Sequence, residues 1–265
     1  KSLWRGGGKT GHFPITFDRG SNGTQELMMG YSLYSSGGNE LWSLRGKIKR
    51  HADGLFHGDM DGDGKLEIAV AASGESLLIN EDGEILWRKP HLHSQHALMG
   101  RFIVPEEMEE QIIPNMQAVF LDRGRDGTIF GYNHSGTELW KSGPHGRVSI
   151  LSAVKGWYGV PDSDVVLVSR RAYGPPILLN GAGEQIAEFP FPPANAGLTY
   201  SQHFAQHFDF VGDEREEVFI YNQNELWVYE NSSEVKGRSE DPSYLVNENL
   251  PNLRISNATF YTGEH

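Results

Sequence analysis

Apolar residues in this chain come in short runs, separated at close intervals by Gly, Asp, Asn and Pro. "LEIAVAA", residues 66–72, is one such run, bounded by "DMDGDGK" before and "SGES" after. Successive strand side chains point to opposite faces, so Ile68 and Val70 share one face here. Runs of this length between turn residues predict β-strands. No extended helical period accompanies them. "PEEMEEQIIPNM" (105–116) is the one stretch with helical character, and it is short.

The runs repeat as a block. Five units are visible, over residues 11–44, 51–89, 93–143, 144–190 and 201–231. Each carries a His near its start, an apolar strand, a Gly turn and then "ELW" or a similar triplet. "SSGGNELW", "NEDGEILW" and "NHSGTELW" are hairpin signals, with Gly supplying positive φ. A period of about forty to fifty residues with four short strands per unit predicts β-propeller blades. The predicted fold is therefore all-β, a β-propeller of four-stranded antiparallel blades. Residues 1–232 form the blades, and 233–265 form a tail that packs on or closes them. Trp42, Trp87, Trp140 and Trp227 are expected at matching places, packed between sheets.

Composition narrows the partners. The 265 residues are 38% hydrophobic, enough for a core, and 32 Gly with 13 Pro suit many turns. A net charge of -12 argues against nucleic acid or an anionic membrane as partner. Cysteine is absent, so disulfides and thiol chemistry are excluded. No apolar run approaches the roughly 18 residues of a membrane-spanning helix. The opening "KSLWRGGGKTGHFP" reads as a mature or trimmed terminus, and "RGGGKTGH" lacks the spacing of a phosphate-binding loop. Sequons at Asn22, Asn133, Asn231 and Asn257 suit a secreted, glycosylated protein.

Two constellations carry chemistry. In "DMDGDGKLE", Asp59, Asp61 and Asp63 alternate before Gly64, and Lys65 and Glu67 follow. Clustered carboxylates with a backbone carbonyl suit calcium, a hard cation that takes six to eight oxygens. An EF-hand would place a bidentate Glu at its twelfth position, where Val70 stands. The stretch predicts a calcium clip at the turn between the first two strands of a blade; the plain alternative is a solvated turn without an ion. The second constellation is the series His12, His51, His93, His96, His145, His203 and His207, at or near the unit starts. Equivalent strand starts converge on a propeller axis, so these rings predict a shared polar site; a water-filled polar channel is the alternative. His93 and His96 in "HSQH" would point to opposite faces of a strand, which disfavours a zinc pair. Arg147 is expected on the strand face of His145. Gln95, Gln202 and Gln206 suit sugar hydroxyls.

"TGHFP", "ELMMGYSL", "HADGLFHGDMDGDGKLEIAVAA", "HSQHALMGRF" and "NATFYTG" together resemble β-propeller polysaccharide lyases. The families are the rhamnogalacturonan lyases of polysaccharide lyase family 11 and the lyases of rhamnose–glucuronate linkages, with ulvan lyases more distant. The resemblance implies a secreted, calcium-binding enzyme that cleaves an acidic plant or algal polysaccharide by β-elimination. It implies His93 or His96 as base, Arg147 or Arg171 neutralising the uronate carboxylate, and Tyr173 as acid. His12, His51, His145 and His203 would bind substrate or help hold a central ion. Two alternatives stand beside it. A glycoside hydrolase releasing rhamnose would need two carboxylates, for which Asp53 and Asp209 are available. A non-catalytic propeller would bind carbohydrate or protein.

Overall fold

Each apolar run becomes a strand and each Gly/Asp cluster a turn. A computed structural model describes residues 2–5, 11–20, 22–48, 50–104, 114–148, 150–159, 163–170, 174–189, 203–213, 215–223 and 225–231. The first sheet contains β1 (Pro14–Phe17), β2 (Glu26–Met29), β3 (Ser32–Tyr34) and β4 (Glu40–Ser43). The second contains β5 (Ala52–Gly58), β6 (Glu67–Ala72), β7 (Glu75–Asn80) and β8 (Ile85–Pro90). The third contains β9 (Ser94–Gly100), β10 (Gln117–Asp122), β11 (Thr128–Tyr132) and β12 (Glu138–Ser142). The fourth contains β13 (Ile150–Val154), β14 (Val165–Ser169), β15 (Ile177–Leu179) and β16 (Gln185–Glu188). The fifth contains β17 (Phe204–Phe208), β18 (Glu217–Tyr221) and β19 (Leu226–Tyr229). Every sheet is an antiparallel meander, and the fold is all-β, of the β-propeller class. The stretch 105–113 and the tail from residue 232 lie outside the described residues.

The chain forms two compact units. One comprises Lys1–Gly100 with Asn115–Val148, and the other Arg101–Pro114 with Ser149–His265. In the first unit, β6 is buried on both faces. Ile68, Val70 and Ala72 join Leu33, Leu55 and Leu77 in one apolar cluster. Ala69 and Ala71 face the other way, against Ala97, Met99 and Phe120. The period of two thus sends Ile68 and Val70 toward one neighbouring sheet and only alanines toward the other. In the second unit, Val154, Leu167, Leu178, Val218 and Ile220 form the corresponding core.

The acidic turns close by a shared hydrogen-bond pattern. Asp59 accepts the N–H of Gly62 (2.7 Å) and Gly64 (2.9 Å), while buried Glu67 accepts that of Met60 (2.8 Å). In the first sheet, Asp18 accepts from Asn22 and Gly23, and Glu26 accepts from Arg19. In the fifth, Asp209 accepts from Gly212 and Asp213, and Glu217 from Phe210 and Val211. An Asp with a Glu eight positions later therefore satisfies the loop donors that a turn leaves unpaired.

Trp42 and Trp87 do pack between sheets. Each donates its Nε1–H to the next sheet's hairpin, Trp42 to the Glu81 carbonyl (2.8 Å) and Trp87 to that of His134 (2.9 Å). Each ring covers a glycine there, Gly83 or Gly136, where a Cβ would lie within 2.9 Å of it. Trp4 covers Gly38 in the same manner, so "LWR" at residues 3–5 repeats "LWR" at 86–88. Trp140 instead lies over Gly131 of its own sheet and donates to Gln117 Oε1 (2.6 Å). Trp227 departs from the expected pattern. It stands on β19, the third strand of its sheet, and is 42% exposed. The fifth sheet has three strands among the described residues, so "NELW" there begins a third strand.

A Cβ at Gly131 would meet the Trp140 ring at 2.3 Å. Gly131→Ala is expected to lower stability by about 1–3 kcal/mol, the usual cost of overpacking. Urea unfolding followed by tryptophan fluorescence would check it, and an unchanged midpoint would show that the ring moves aside freely.

Candidate functional site

Three successive sheets each bring a histidine to one buried carboxylate. Asp53, early in β5, has a side chain with no exposed surface. His12, from the segment entering β1, places Nδ1 3.1 Å from Asp53 Oδ1. His51, just before β5, places Nε2 2.9 Å from the same oxygen. His93, just before β9, holds Nε2 3.9 Å from Oδ2. Ser73 supplies its N–H (3.3 Å) and hydroxyl (3.0 Å) to Oδ2, and Gln95 Nε2 donates to Oδ1 (3.2 Å). A buried charge needs such donors, and Asp53 has them from every side.

The backbone makes the convergence possible. Gly11 has φ +67°, and a Cβ there would lie 2.7 Å from the Ala52 carbonyl. The close approach lets His12 N–H donate to that carbonyl (3.2 Å). Gly54 would clash less severely, at 3.1 Å from Ala97 N and Gln95 O, and its missing side chain lets β9 lie close to β5. Asp122 fixes the loop carrying His93. It accepts the N–H of Leu92 (3.0 Å) and His93 (2.8 Å), lies 3.2 Å from His91 Nδ1, and is held below the usual carboxylate range by these bonds against the opposing effect of burial. Tyr31 donates its hydroxyl to the Arg50 carbonyl, just before His51; burial, then Asp53, pushes its phenol up.

Hydrogen bonding decides the ring protons. A carboxylate only accepts, so His12 Nδ1 and His51 Nε2 carry protons toward Asp53. Gln95 has its amide nitrogen toward Asp53, so its oxygen accepts from His93 Nε2 (3.0 Å) and from Arg123 (3.3 Å). His93 Nδ1 then carries the lone pair, on a side chain 41% exposed. The arrangement offers a proton acceptor beside two imidazole donors and a guanidinium.

The remaining candidates separate. His96 lies on β9 three residues beyond His93, past a register shift that leaves Gln95 as an extra residue between Ser94 and His96. It is 8% exposed, and burial, then Arg123, push its imidazole down to about 4. His145 and Arg147 are not on a shared strand face: Gly143–Val148 is a loop, in which Pro144 lacks the N–H a ladder needs and Gly146 takes φ +72°. His145 Nε2 is 3.0 Å from Ser142 Oγ, and Arg147 is exposed. In the second unit, His203 is buried before β17, and burial lowers its basicity. His207 Nδ1 lies 2.6 Å from Glu216. Arg171, Tyr173 and Gln202 lie outside the described residues. Asp53 as the hub and Arg123 as neighbour come from the structure; the sequence signal for them is "HAD" beside "HSQ", an acceptor or amide two residues after each His.

Acidic and His groups that can hold a metal are present. Asp59, Asp61 and Asp63 bring one carboxylate oxygen each within 4.8 Å of one another; Asp61, Glu67 and His134, and likewise His12, His51 and Asp53, bring carboxylate oxygens and imidazole nitrogens equally close. All-oxygen donors fit a hard cation. The turn also closes in the first and fifth sheets without three aspartates, so its shape does not itself require an ion. Lys65 takes part through its N–H, which donates to Asp63 (2.8 Å). Among the described residues no helix is long and apolar enough to cross a membrane. Asn231 spends its amide nitrogen on the Trp157 carbonyl (2.8 Å), the atom a glycan would take.

No known family profile matches the chain, and no curated protein matches it. Solved structures do. The exotype rhamnogalacturonan lyase YesX has a TM-score of 0.52 at 18% identity, over 82% of this chain and 36% of that one. Rhamnogalacturonan lyase YesW has 0.52 at 17%, over 87% and 37%. BBS1N, solved in complex with ARL6DN, has 0.52 at 10%, over 81% and 63%. At these identities the likeness shows the fold alone. The chain spans little more than a third of the two lyases' length.

Proposed function

We propose that the chain is a secreted polysaccharide lyase acting on a uronate-containing, rhamnose-rich plant or algal polymer. The observation that supports this reading is the meeting of His12, His51 and His93 over Asp53. β-Elimination removes the proton on C5 of a uronate and breaks the C4–O bond. The electron pair forms a C4=C5 double bond conjugated with the carboxyl group, and the leaving oxygen takes a proton. The C5–H is acidic enough only when charge developing on the carboxylate is stabilised. In the proposal His93 Nδ1 takes the proton, a role suited to neutral imidazole near pH 7. Arg123 stabilises the carboxylate, with Arg147 and Arg171 as the further cations. Tyr173 remains the proposed acid. A hydrolase is less well supported, because Asp53 is enclosed by its donors and offers no oxygen to a sugar. The aspartate turn is the proposed calcium site, held by Asp59, Asp61 and Asp63, and its role is to stiffen the β5–β6 connection.

The test is ultraviolet absorbance of the unsaturated uronate during incubation with rhamnogalacturonan, gum arabic and ulvan. A rise on one polymer is expected. Reducing sugar without absorbance would indicate hydrolysis, and binding without either would indicate a carbohydrate-binding propeller. Calcium at about 100 times its dissociation constant should add about 2.7 kcal/mol to stability. Asp63→Asn should remove that gain in a thermal melt, whereas equal melting with calcium and with chelator would rule out the clip.

A further inference from the structure

A cavity of about 420 Å³ lies beside the histidine cluster, lined in part by Arg50, Gly74, Glu75, Arg88, Lys89 and Leu92. Its walls continue into the site. Arg50 precedes His51, Gly74 follows the Ser73 that donates to Asp53, and Leu92 precedes His93. Three cations and one carboxylate line it, in a chain whose net charge is -12. Arg88 pairs with Glu75 (3.0 Å) and donates to the Lys47 carbonyl (3.3 Å). Lys89 Nζ stands 6.0 Å and 5.8 Å from the Trp87 and Tyr132 ring centres. Arg50 is exposed and makes no ion pair with the described residues. Its Cδ and Nε lie 3.7 and 3.8 Å from where a Gly74 Cβ would stand, so its stem runs along that turn.

We infer that this cavity is a second sugar subsite, which takes the carboxylate of a further uronate next to the unit held at the histidines. A guanidinium matches a carboxylate with two parallel N–H donors, which a lysine or imidazole cannot do. Arg50 supplies that fork, Arg88 a second charge already half-neutralised by Glu75, and exposed Leu92 an apolar rim for the sugar's C–H face. The size suits a small ligand, since such pockets run from about 300 to 1,000 Å³. The inference rests on the lyase reading for the identity of the neighbouring unit. The binding it describes stands apart from turnover.

The test is calorimetric titration of the full chain with oligosaccharides from rhamnogalacturonan, gum arabic and ulvan, before and after chemical reduction of their carboxylates to alcohols. At least one acidic preparation should bind, and reduction should weaken it about tenfold or more. Arg50→Gln should weaken the acidic preparation by a similar factor and leave the reduced one unchanged. Glu75→Gln, which releases Arg88, should tighten the acidic preparation several-fold. Binding insensitive to reduction, equal in wild type and Arg50→Gln, or absent for every acidic preparation would overturn the subsite. Should Arg50→Gln unfold, the Glu75→Gln arm decides alone. If no polymer gives the ultraviolet product while these binding results hold, the lyase reading fails and the anionic subsite stands.

Discussion

On the proposed lyase reading, Asp53→Asn is expected to lower turnover of the polymer by about 10²–10⁴-fold, the range over which oriented acid–base groups and their supporting anion act. The substitution keeps the shape and removes the charge. It also replaces an acceptor by an amide nitrogen, a donor, in a pocket where Ser73, Gln95, His12 and His51 all direct donors inward. Whichever way the amide lies, at least one donor loses its acceptor. Gln95 then has no fixed orientation, and His93 loses the acceptor that keeps its lone pair on Nδ1. The loss should appear in kcat at saturating polymer. His93→Ala should cost as much, and the double variant little more, because both act on one proton transfer. A double variant whose loss is the product of the two singles would show that Asp53 works independently of His93. His96→Ala separates the two candidate bases: buried, and forming no hydrogen bond or ion pair with Asp53 among the described residues, His96 should affect stability and leave the chemical step alone.

Acidification should destabilise the fold through His96. Its folded imidazole is pushed down to about 4 from an ordinary 6.5, chiefly by burial. The sign follows from proton uptake. Below pH 6.5 the unfolded chain binds a proton at this position that the folded chain refuses, so stability falls as pH falls. The loss begins near 6.5 and is complete below about 4, where both states are protonated. At about 1.36 kcal/mol per pH unit it amounts to roughly 3 kcal/mol. His57 and His91, also lowered by burial, act in the same direction. Glu67 and Glu217 act oppositely, since burial raises their carboxyls and their protonation in the fold adds stability in acid. The informative measurement is therefore a difference. Urea midpoints for wild type and His96→Leu, taken at pH 7 and pH 4.5, should converge in acid by a few kcal/mol. Parallel curves would mean that His96 is solvated in the folded chain.

The repeat, the strand content and the histidine positions were legible because each depends on local rules. A period of two writes Ile68, Val70 and Ala72 onto one face whatever lies opposite. Where sequence and structure differ, a local signal has two meanings. "LW" stands on the fourth strand in the first three sheets but on the third strand at Leu226 and Trp227, and nothing within the pair distinguishes the two. "PHGRV" alternates like a strand, yet Pro144 lacks the N–H a ladder needs and Gly146 takes φ +72°, and the stretch is a loop.

By itself the sequence determined that this chain builds antiparallel blades and carries a histidine at successive blade starts. It also showed an acidic turn with donors suited to a hard cation. Only the tertiary structure decided that Asp53 is the centre of the histidine cluster, that Gln95 and Arg123 set the proton on His93, and that Arg50 opens beside them. The physical reason is distance along the chain. His12, Asp53, His93 and Arg123 come from three sheets, and a strand pattern states which face a residue occupies without stating which other strand approaches it. Close packing at Gly11 and Gly54 brings those strands together, and burial then makes Asp53 collect every donor within reach.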